Sequence, residues 1–481
     1  MKQRDFVFNI CLLVFLNLLV KPFWILGVDI GVQNRVGSDV YGLYFSIFSF
    51  TMLFNMVLDM GTTNYNNRNI ARHSERLADQ FPNIVTLRIM LGVAYFISVF
   101  AVSLIIGYRG YHLKLLFWIA LNQFLNAFLL YLRSNISALM MFKTDSVISV
   151  LDKLLMIIFC GLLLWGDITD SPFRIEWFVW CQTLSYSIAI LVATAVVLRK
   201  AGFRRPHFDW HETKDIVRKS FPFALVTLLM TCYYRLDSVM LERLLPENVA
   251  ALQSGIYAAA FRLLDTLAII PYLFSVILLP LFSKMLKEKQ DILPIVRTSF
   301  LLLSFFSLSA AIILFVFREP VINLFYKNNV AESVGVFKLI IFGLVPLSLT
   351  YLFGTLLTSN GNLKYLNIIA AACLIVNVVM NLVLIPRFGA TGSAVASLVT
   401  QAAVCLLQFV FAVRSVGIPL SSLPFVRTAA FSGLLYLSAY SLHRFSDLPT
   451  AYGLTAAFAC AVVLSLLLKL VNVKELQLFR K

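Results

Sequence analysis

The hydrophobic residues of this chain fall into long blocks separated by short polar segments. Each block is about 20 residues long, which is the length that an α-helix needs to cross the hydrocarbon core of a bilayer. The pattern therefore predicts fourteen transmembrane helices. Their expected positions are 6–28, 41–60, 84–107, 113–132, 147–165, 177–198, 223–241, 256–282, 295–317, 336–357, 366–385, 394–413, 425–442 and 451–471.

The first block follows Lys2 and Arg4, as the apolar region of a secretory signal peptide would. It is longer than such a region, and no cleavage site of small residues follows it. We therefore expect this block to be the first transmembrane span of the protein.

Composition also indicates a polytopic membrane protein. Of the 481 residues, 60% are hydrophobic and 13% are charged, whereas a typical soluble domain has about 25% charged residues. Little sequence lies outside the blocks to build a soluble domain. The seven cysteines are scattered inside the blocks, so the sequence predicts neither a disulfide framework nor a metal site.

The net charge of +16 would suit a nucleic-acid partner, but the distribution of the charge does not. Basic residues concentrate in alternate loops, as the positive-inside rule expects for cytoplasmic segments. The densest basic run lies between the sixth and seventh blocks and contains Arg199, Lys200, Arg204, Arg205, Lys214, Arg218 and Lys219. The loop before it carries Asp167 and Asp170 instead. We therefore expect a bilayer environment, no nucleic-acid partner, and both termini on the cytoplasmic side.

A short pattern occurs twice along the chain and indicates a duplication. Gly42-Leu-Tyr44 is followed by Phe48, and Gly255-Ile-Tyr257 is followed by Phe261 with the same spacing. A basic residue lies about 20 positions before each copy, Lys21 and Arg235 respectively. We expect two parallel lobes of six helices with a substrate site between them. The predicted domains are residues 1–200, a cytoplasmic linker 201–220, residues 221–414, and two further helices with a cytoplasmic tail in 415–481.

Polar residues form regular rows within two of the predicted spans. Spacings of three and four predict one polar stripe on the second span, formed by Thr51, Asn55, Asp59, Thr62 and Asn66. The fourth span repeats the arrangement with Asn122, Asn126 and Arg133. Such stripes line a hydrated path that binds sugar hydroxyls, or they provide hydrogen bonds between helices. We favour the hydrated path for the longer stripe.

Ionisable residues inside the spans need a partner, a cavity or a function, because each costs about 2.5–3.5 kcal/mol at the bilayer centre. Arg235 and Asp237 are two positions apart, so they face different sides of a helix, whereas Arg262 and Asp265 can pair. Cations outnumber carboxylates in this set, which favours an anionic ligand such as a diphosphate. The full set is Lys21, Asp59, Arg88, Arg133, Asp152, Lys153, Arg235, Asp237, Arg262 and Asp265. No catalytic motif accompanies them, and we expect a protein that is not an enzyme.

Three segments together resemble one family of membrane proteins. They are Tyr234-Arg-Leu-Asp237-Ser-Val-Met-Leu241, the stretch from Gly255 to Leu264, and Asn381-Leu-Val-Leu-Ile-Pro386-Arg-Phe-Gly389-Ala-Thr-Gly392-Ser-Ala-Val-Ala396. They resemble the polysaccharide flippases of the Wzx type, a branch of the multidrug/oligosaccharidyl-lipid/polysaccharide (MOP) transporter superfamily. The resemblance covers essentially the whole chain. It implies an all-α, MATE-like membrane fold of about fourteen helices, with two six-helix lobes and two appended helices.

The resemblance also implies a function. The cargo would be a polyprenyl-diphosphate-linked oligosaccharide of a surface polysaccharide, such as O-antigen or capsule, flipped across the bacterial inner membrane by alternating access. Polysaccharide polymerases or ligases are the expected protein partners. The expected substrate-binding residues are Lys21, Asp59, Asn122, Asn126, Arg133, Arg235 and Arg262.

A coupling ion is the remaining chemical expectation. Asn377 and Asn381 share one helix face, and Ser393 and Ser397 form a pair of hydroxyls just beyond them. With Asp237, these oxygen ligands suit a small hard cation such as Na⁺, although the carboxylate alone could carry a proton. The two amides could instead provide hydrogen bonds between helices. The resemblance extends to flippases of peptidoglycan precursors, which hold a cation between these three helices. It implies a site formed by Asp237, Asn377, Asn381 and Ser397, with an amide at 381 where an acid can occur in those relatives.

Two other functions compete with this prediction. The same fold could export small amphipathic compounds, although a cationic lumen does not suit cationic drugs. A membrane glycan polymerase, ligase or acyltransferase would need a large external loop or a recognisable catalytic constellation, and the predicted loops are short.

Overall fold

The computed structural model describes residues 3–63, 66, 70, 77–166, 170–201, 210–419, 423–445 and 449–470, and every regular element in these ranges is a helix. The first elements are α1 (Gln3–Phe23), a π-helical stretch (Trp24–Asp29), α2 (Ile30–Val36), α3 (Ser38–Leu53), α4 (Asn55–Asp59), α5 (Leu77–Ile105), α6 (Tyr111–Ala138), α7 (Phe142–Trp165), α8 (Ile175–Ala201) and α9 (Trp210–Leu244). The others are α10 (Glu247–Lys287), α11 (Leu293–Val316), α12 (Arg318–Phe325), α13 (Val330–Ile340), a 3₁₀ turn (Ile341–Gly343), α14 (Leu344–Ser359), α15 (Leu363–Val416), α16 (Phe425–Phe445) and α17 (Thr450–Leu467).

These helices account for the predicted membrane spans. Within the described residues, 11 helical segments are long and apolar enough to cross a membrane. One of them, Leu363–Val416, contains two predicted spans joined at Gly389, where φ is 55°. The remaining two predicted spans correspond to α3 with α4 and to α16. The expectation of about fourteen transmembrane helices is confirmed.

The chain divides into two compact units, unit 1 (Met1–Gly255) and unit 2 (Ile256–Lys481). The boundary lies within helix α10. The predicted lobes 1–200 and 221–414, the appended helices of 415–481 and the duplication remain predictions. Residues 202–209 of the predicted linker and the tail from residue 471 onward lie outside the described residues, as does Asp167.

The second predicted span is interrupted, so its polar residues do not share one continuous helix face. Helix α3 ends at Leu53, and α4 begins at Asn55 after a turn at Phe54. Helix α4 ends at Asp59, and the next residue, Met60, adopts the left-handed conformation with φ of 43°. The prediction of a single stripe from Thr51 to Asn66 assumed regular helical geometry, and these two interruptions change the direction of the side chains.

Two glycines of unit 1 bring backbones into direct contact. A Cβ atom at Gly42 on α3 would collide with the carbonyl oxygen of Ala251 on α10, and one at Gly255 would collide with the carbonyl oxygen of Ser38. The hydroxyl groups of Ser46 and Ser254 lie 2.6 Å apart at the same crossing. These glycines are the first residues of the two repeated sequence patterns. The repeat therefore marks a helix crossing at which no side chain fits.

Replacing Gly42 with Ala should destabilise the protein, because the added methyl group can only be accommodated by moving backbone atoms. We expect a loss of about 1–3 kcal/mol, as for other overpacked sites, measured as a lower unfolding temperature of the purified protein in detergent. Gly335→Ala is the matched control. A Cβ at Gly335 meets no atom within 4 Å, and alanine is the better helix former by about 1 kcal/mol. If both variants unfold at the same temperature, the proposed backbone crossing is wrong.

Candidate functional site

A cavity of about 260 Å³ lies within unit 1 among helices α1, α3, α6, α7 and α8. We call it the unit 1 cavity. Its wall contains charged, amide and aromatic side chains together with several apolar ones. The lining residues are Lys21, Phe48, Met52, Ile119, Asn122, Gln123, Asn126, Leu129, Leu130, Arg133, Ser149, Asp152, Lys153, Gln182 and Tyr186.

Helix α6 contributes the polar row that the fourth predicted span contains. Asn122, Asn126 and Arg133 all line the cavity, because offsets of four and eleven residues return to the same helix face. The Asn122 amide donates to the carbonyl oxygen of Val179 at 3.0 Å and accepts from the Thr183 hydroxyl at 2.7 Å. Asn122 thus connects α6 to α8, whereas Asn126 makes no hydrogen bond with any described residue. The polar row of α6 therefore contains one residue that bonds to another helix, Asn122, and one whose amide is available to a ligand, Asn126.

Lys21 enters the cavity from α1 at an irregular point of the helix. Pro22 follows it, and the backbone then forms a π-helical stretch from Trp24 to Asp29. Proline removes a backbone hydrogen bond, and short π-helical stretches frequently occur at functional sites. Lys21 is half-buried and makes no hydrogen bond or ion pair with a described residue. Its side chain therefore presents its charge to the cavity.

Arg133 is paired with Asp145, a carboxylate outside the set of intramembrane charges predicted from the sequence. Its Nε donates to Asp145 Oδ1 at 2.8 Å, and the side chains are 21% and 11% exposed. The two residues lie near the end of α6 and the start of α7. The sequence signal was available, because only a short loop separates two helices that carry opposite charges.

Lys153 is a cavity residue that the sequence analysis placed within a span but not in the site. Its Nζ lies 3.2 Å from Asp152 Oδ2, donates to the Tyr186 hydroxyl at 3.2 Å, and lies 3.7 Å from Met156 Sδ. It also lies over the rings of Trp24 and Tyr186, at 5.6 and 5.1 Å from their centroids. Asp152 and Met156 are its neighbours on α7, whereas Tyr186 and Trp24 come from other helical segments, which no local pattern could reveal.

The polar residues of the second predicted span mostly form hydrogen bonds with nearby elements. Asn55 donates to Gln123 Oε1 at 3.2 Å, and Asn66 donates to Ser134 Oγ at 2.9 Å on α6. The hydroxyl groups of Thr51 and Thr62 donate to backbone carbonyls of their own segment. None of these four residues lines the unit 1 cavity. The contacts favour helix association over a hydrated path for this part of the chain.

Asp59 is paired with a buried arginine and does not line the unit 1 cavity. Arg88 Nη2 lies 2.5 Å from Asp59 Oδ1, and the Arg88 side chain is only 2% exposed. The carboxylate also accepts from the backbone amides of Gly61 and Thr63 at 3.1 Å. Arg88 donates in addition to the carbonyl oxygen of Leu58 at 3.0 Å. These contacts connect the end of α4 to α5, so the geometry gives Asp59 a structural role.

The other predicted cations lie outside the lining of this cavity. Arg235 in unit 1 lies over the rings of Tyr234 and Phe48, at 5.2 and 6.0 Å from their centroids, and Phe48 itself lines the cavity. Arg262 in unit 2 lies 3.8 Å from Asp265, as their spacing predicted. The structure brings Lys21, Asn122, Asn126 and Arg133 together, and their role as substrate contacts remains a prediction.

The expected coupling residues are divided between the two units. Asp237 belongs to unit 1 and is fully buried. In unit 2, the Asn381 amide donates to Asn377 Oδ1 at 3.2 Å and to its carbonyl oxygen at 3.0 Å. Ser397 accepts from Gln401 Nε2 at 3.3 Å. These buried oxygens have the chemistry of hard-cation ligands, but a cation at Asn377 would replace an existing hydrogen bond.

Asp59→Ala should lower stability, because it leaves the Arg88 guanidinium buried without its carboxylate. We expect a loss of about 2 kcal/mol, below the value for a fully buried pair because the Asp59 side chain is 34% exposed. The measurement is the unfolding temperature in detergent, with the exposed Glu332→Ala as control. A variant that unfolds like the wild type but no longer transports cargo would instead support Asp59 as a substrate contact.

Comparison with known proteins provides independent information on the family. A family model described as "Polysaccharide biosynthesis protein" matches residues 7–286, which is more than half of the chain. A second model, described as "MatE", matches residues 222–383. No curated protein matches the sequence.

Several solved structures are similar to this chain. The lipid II flippase MurJ in an inward closed conformation is 13% identical, has a TM-score of 0.72, and aligns over 96% of this chain and 97% of its own. An inward-facing multidrug resistance MATE family transporter of the MOP superfamily is 13% identical with a TM-score of 0.61, covering 84% and 98%. A MOP superfamily transporter from Pyrococcus furiosus is 13% identical with a TM-score of 0.62, covering 85% and 95%.

At these identities the solved structures establish the fold, and the family model establishes membership. The expected all-α, MATE-like architecture is confirmed by structures that align over most of both chains. The resemblance noted from the three sequence segments is confirmed as well, and the chain belongs to the polysaccharide biosynthesis protein family, with the fold of the MOP superfamily transporters.

Proposed function

We propose that this protein flips a polyprenyl-diphosphate-linked oligosaccharide across the bacterial inner membrane by alternating access. The glycan would be the repeat unit of O-antigen, capsule or another surface polysaccharide. Family membership and the likeness to a lipid II flippase support a transporter of lipid-linked glycans. The observation that carries the proposal is the unit 1 cavity, in which cations and amides lie together within the helical bundle.

In this mechanism the cavity residues bind the polar part of the cargo while the lipid tail remains in the membrane. Lys21 provides positive charge, Arg133 provides hydrogen-bond donors, and Asn122 and Asn126 provide the amide wall. Arg235 and Arg262 are further proposed contacts for anionic groups. The binding is noncovalent, so the cycle consists of binding, a conformational change and release. A polysaccharide polymerase or ligase would then use the released glycan on the outer side, with both termini of the protein in the cytoplasm.

Export of a small amphipathic compound is the second candidate, favoured by the MatE match and the likeness to multidrug transporters. The cavity argues against cationic drugs, since Lys21, Arg133 and Lys153 all line it. Proteoliposomes that move a lipid-linked oligosaccharide but no cationic dye would distinguish the two functions.

Lys21→Gln should reduce flipping by about tenfold or more, because it removes a charge-assisted contact to the cargo. The measurement is the amount of lipid-linked glycan that accumulates in the cytoplasmic leaflet of a flippase-null strain carrying the variant. Lys364→Gln is the matched control, because Lys364 is an exposed lysine at the start of α15. Full complementation by Lys21→Gln at normal protein level would remove Lys21 from the mechanism.

We further propose that Na⁺ or H⁺ drives the cycle through Asp237, with Asn377, Asn381 and Ser397 as additional ligands. Asp237→Asn removes the one carboxylate of this set and should abolish the dependence of transport on the driving gradient. The test uses proteoliposomes with imposed sodium or proton gradients, and Glu332→Gln serves as the control. Gradient dependence that persists in Asp237→Asn would show that coupling occurs elsewhere.

A further inference from the structure

We propose that the unit 1 cavity recognises one sugar residue carrying a single carboxylate, a hexuronate, with Lys21 as its counter-ion. This inference rests on the proposed function and names the part of the cargo that this cavity holds. It differs from the expectation that the cations of the cavity bind the diphosphate. The three cations that line the cavity, Lys21, Arg133 and Lys153, differ in their partners.

The charge of Arg133 is already neutralised. Its Nε donates to the Asp145 carboxylate at 2.8 Å, and both side chains are largely buried. A guanidinium group has five N–H donors, so the remaining ones can still donate to sugar hydroxyls. Arg133 therefore offers hydrogen bonds, but a second anion would have to compete with Asp145 for its charge.

The charge and the N–H donors of Lys153 are already engaged by other residues of the protein, so neither is available to a ligand. An ammonium group has three donors, and the Lys153 Nζ contacts Asp152 Oδ2 and the Tyr186 hydroxyl, each at 3.2 Å, and Met156 Sδ at 3.7 Å. The ring of Trp24 lies beside the same ammonium at 5.6 Å. Lys153 thus holds Asp152 and Tyr186 in place and contributes to the wall of the cavity.

Lys21 is the remaining cation, and its position differs from that of the other two. Within the described residues it makes no hydrogen bond or ion pair. Three charged groups act on the Lys21 ammonium, namely the Asp152 carboxylate and the positive charges of Lys153 and Arg133. The Asp152 carboxylate is already paired with Lys153. Lys153 and Arg133 repel the Lys21 ammonium, so an anionic ligand beside Lys21 would supply the counter-ion that no described residue provides.

The charge balance of the cavity selects a ligand with one negative charge. Three cations against the carboxylates of Asp152 and Asp145 leave one net positive charge around the cavity. A hexuronate carries one negative charge and matches it. A diphosphate diester carries two and would retain one uncompensated charge in a site of low dielectric, where this is costly.

The size and wall of the cavity agree with a single sugar ring. Its volume of about 260 Å³ is below the ~300 Å³ at which pockets begin to enclose drug-sized ligands. A whole repeat unit with its diphosphate would not fit. The Asn126 amide, which has no partner among the described residues, offers a donor and an acceptor to ring hydroxyls. Phe48, Met52 and Leu129 supply an apolar wall for the carbon face of the sugar.

The test compares methyl hexuronides with methyl hexosides of the same ring configuration, which differ only in the carboxylate. Glucuronide, galacturonide and mannuronide are each paired with their neutral hexoside, and inorganic diphosphate is the competing probe. Affinity for the full-length protein in detergent is measured by calorimetric titration. We expect at least one hexuronide to bind about tenfold or more tightly than its neutral partner, the factor that one charge-assisted hydrogen bond provides. We also expect it to bind more tightly than diphosphate.

Lys21→Gln should bring the affinities for that hexuronide and its hexoside together, whereas Lys21→Arg and the control Lys364→Gln should keep them apart. A modest loss of folded protein affects the hexuronide and hexoside titrations equally, so the ratio of the two affinities is unchanged by it. If no hexuronide is preferred over its hexoside, or if the preference survives in Lys21→Gln, the inference is wrong. Diphosphate binding that is tighter than any hexuronide and depends on Lys21 would also overturn it.

The flipping assay separates this inference from the proposed function. Normal flipping of a lipid-linked glycan without any hexuronide preference would reject the inference and leave the proposed function in place. A Lys21-dependent hexuronide preference in a protein that flips no lipid-linked glycan would support the subsite and reject the proposed function.

Discussion

A cation in a bundle of membrane helices must find a partner, because hydrocarbon offers no water to solvate it. This constraint determines where the charged residues of unit 1 lie. Arg88 bonds to Asp59, Arg133 to Asp145, and Lys153 to Asp152. Each pair connects neighbouring helices or holds the wall of the cavity. Of the three cations that line the cavity, Lys21 is the one that has no carboxylate partner among the described residues, and it gives the cavity its chemistry.

Burial of a charge therefore does not by itself indicate a functional residue. Asp59 and Lys21 both lie within predicted spans, yet one stabilises the junction between α4 and α5 and the other faces a cavity. Breaking a buried pair costs stability because the remaining charge is left uncompensated. Replacing a cation that has no carboxylate partner leaves no uncompensated charge behind and has no such cost in stability. The two kinds of residue are thus separable by measuring stability and transport on the same variants.

Close helix packing is the second feature on which unit 1 depends. Gly42 and Gly255 permit backbone contact between α3 and the first turns of α10, and the Ser46 and Ser254 hydroxyls meet there. Small residues allow such approaches in membrane proteins, where van der Waals contacts and hydrogen bonds replace the hydrophobic effect as the force between helices. The repeated glycine pattern in the sequence thus has a packing explanation that is independent of the predicted duplication.

The sequence by itself determined the fold class and the positions of the spans, because the length and hydropathy of a transmembrane helix are local properties of the chain. It also placed Asn122, Asn126 and Arg133 on one face of α6, since helical periodicity fixes that relation. Only the tertiary structure decided which charges are paired. The bond from Lys153 on α7 to Tyr186 on α8, and the bond from Arg88 on α5 to Asp59 on α4, join segments that are distant in sequence. Hydrophobic periodicity carries no information about such contacts, because it records which face of a helix is polar and not what that face meets.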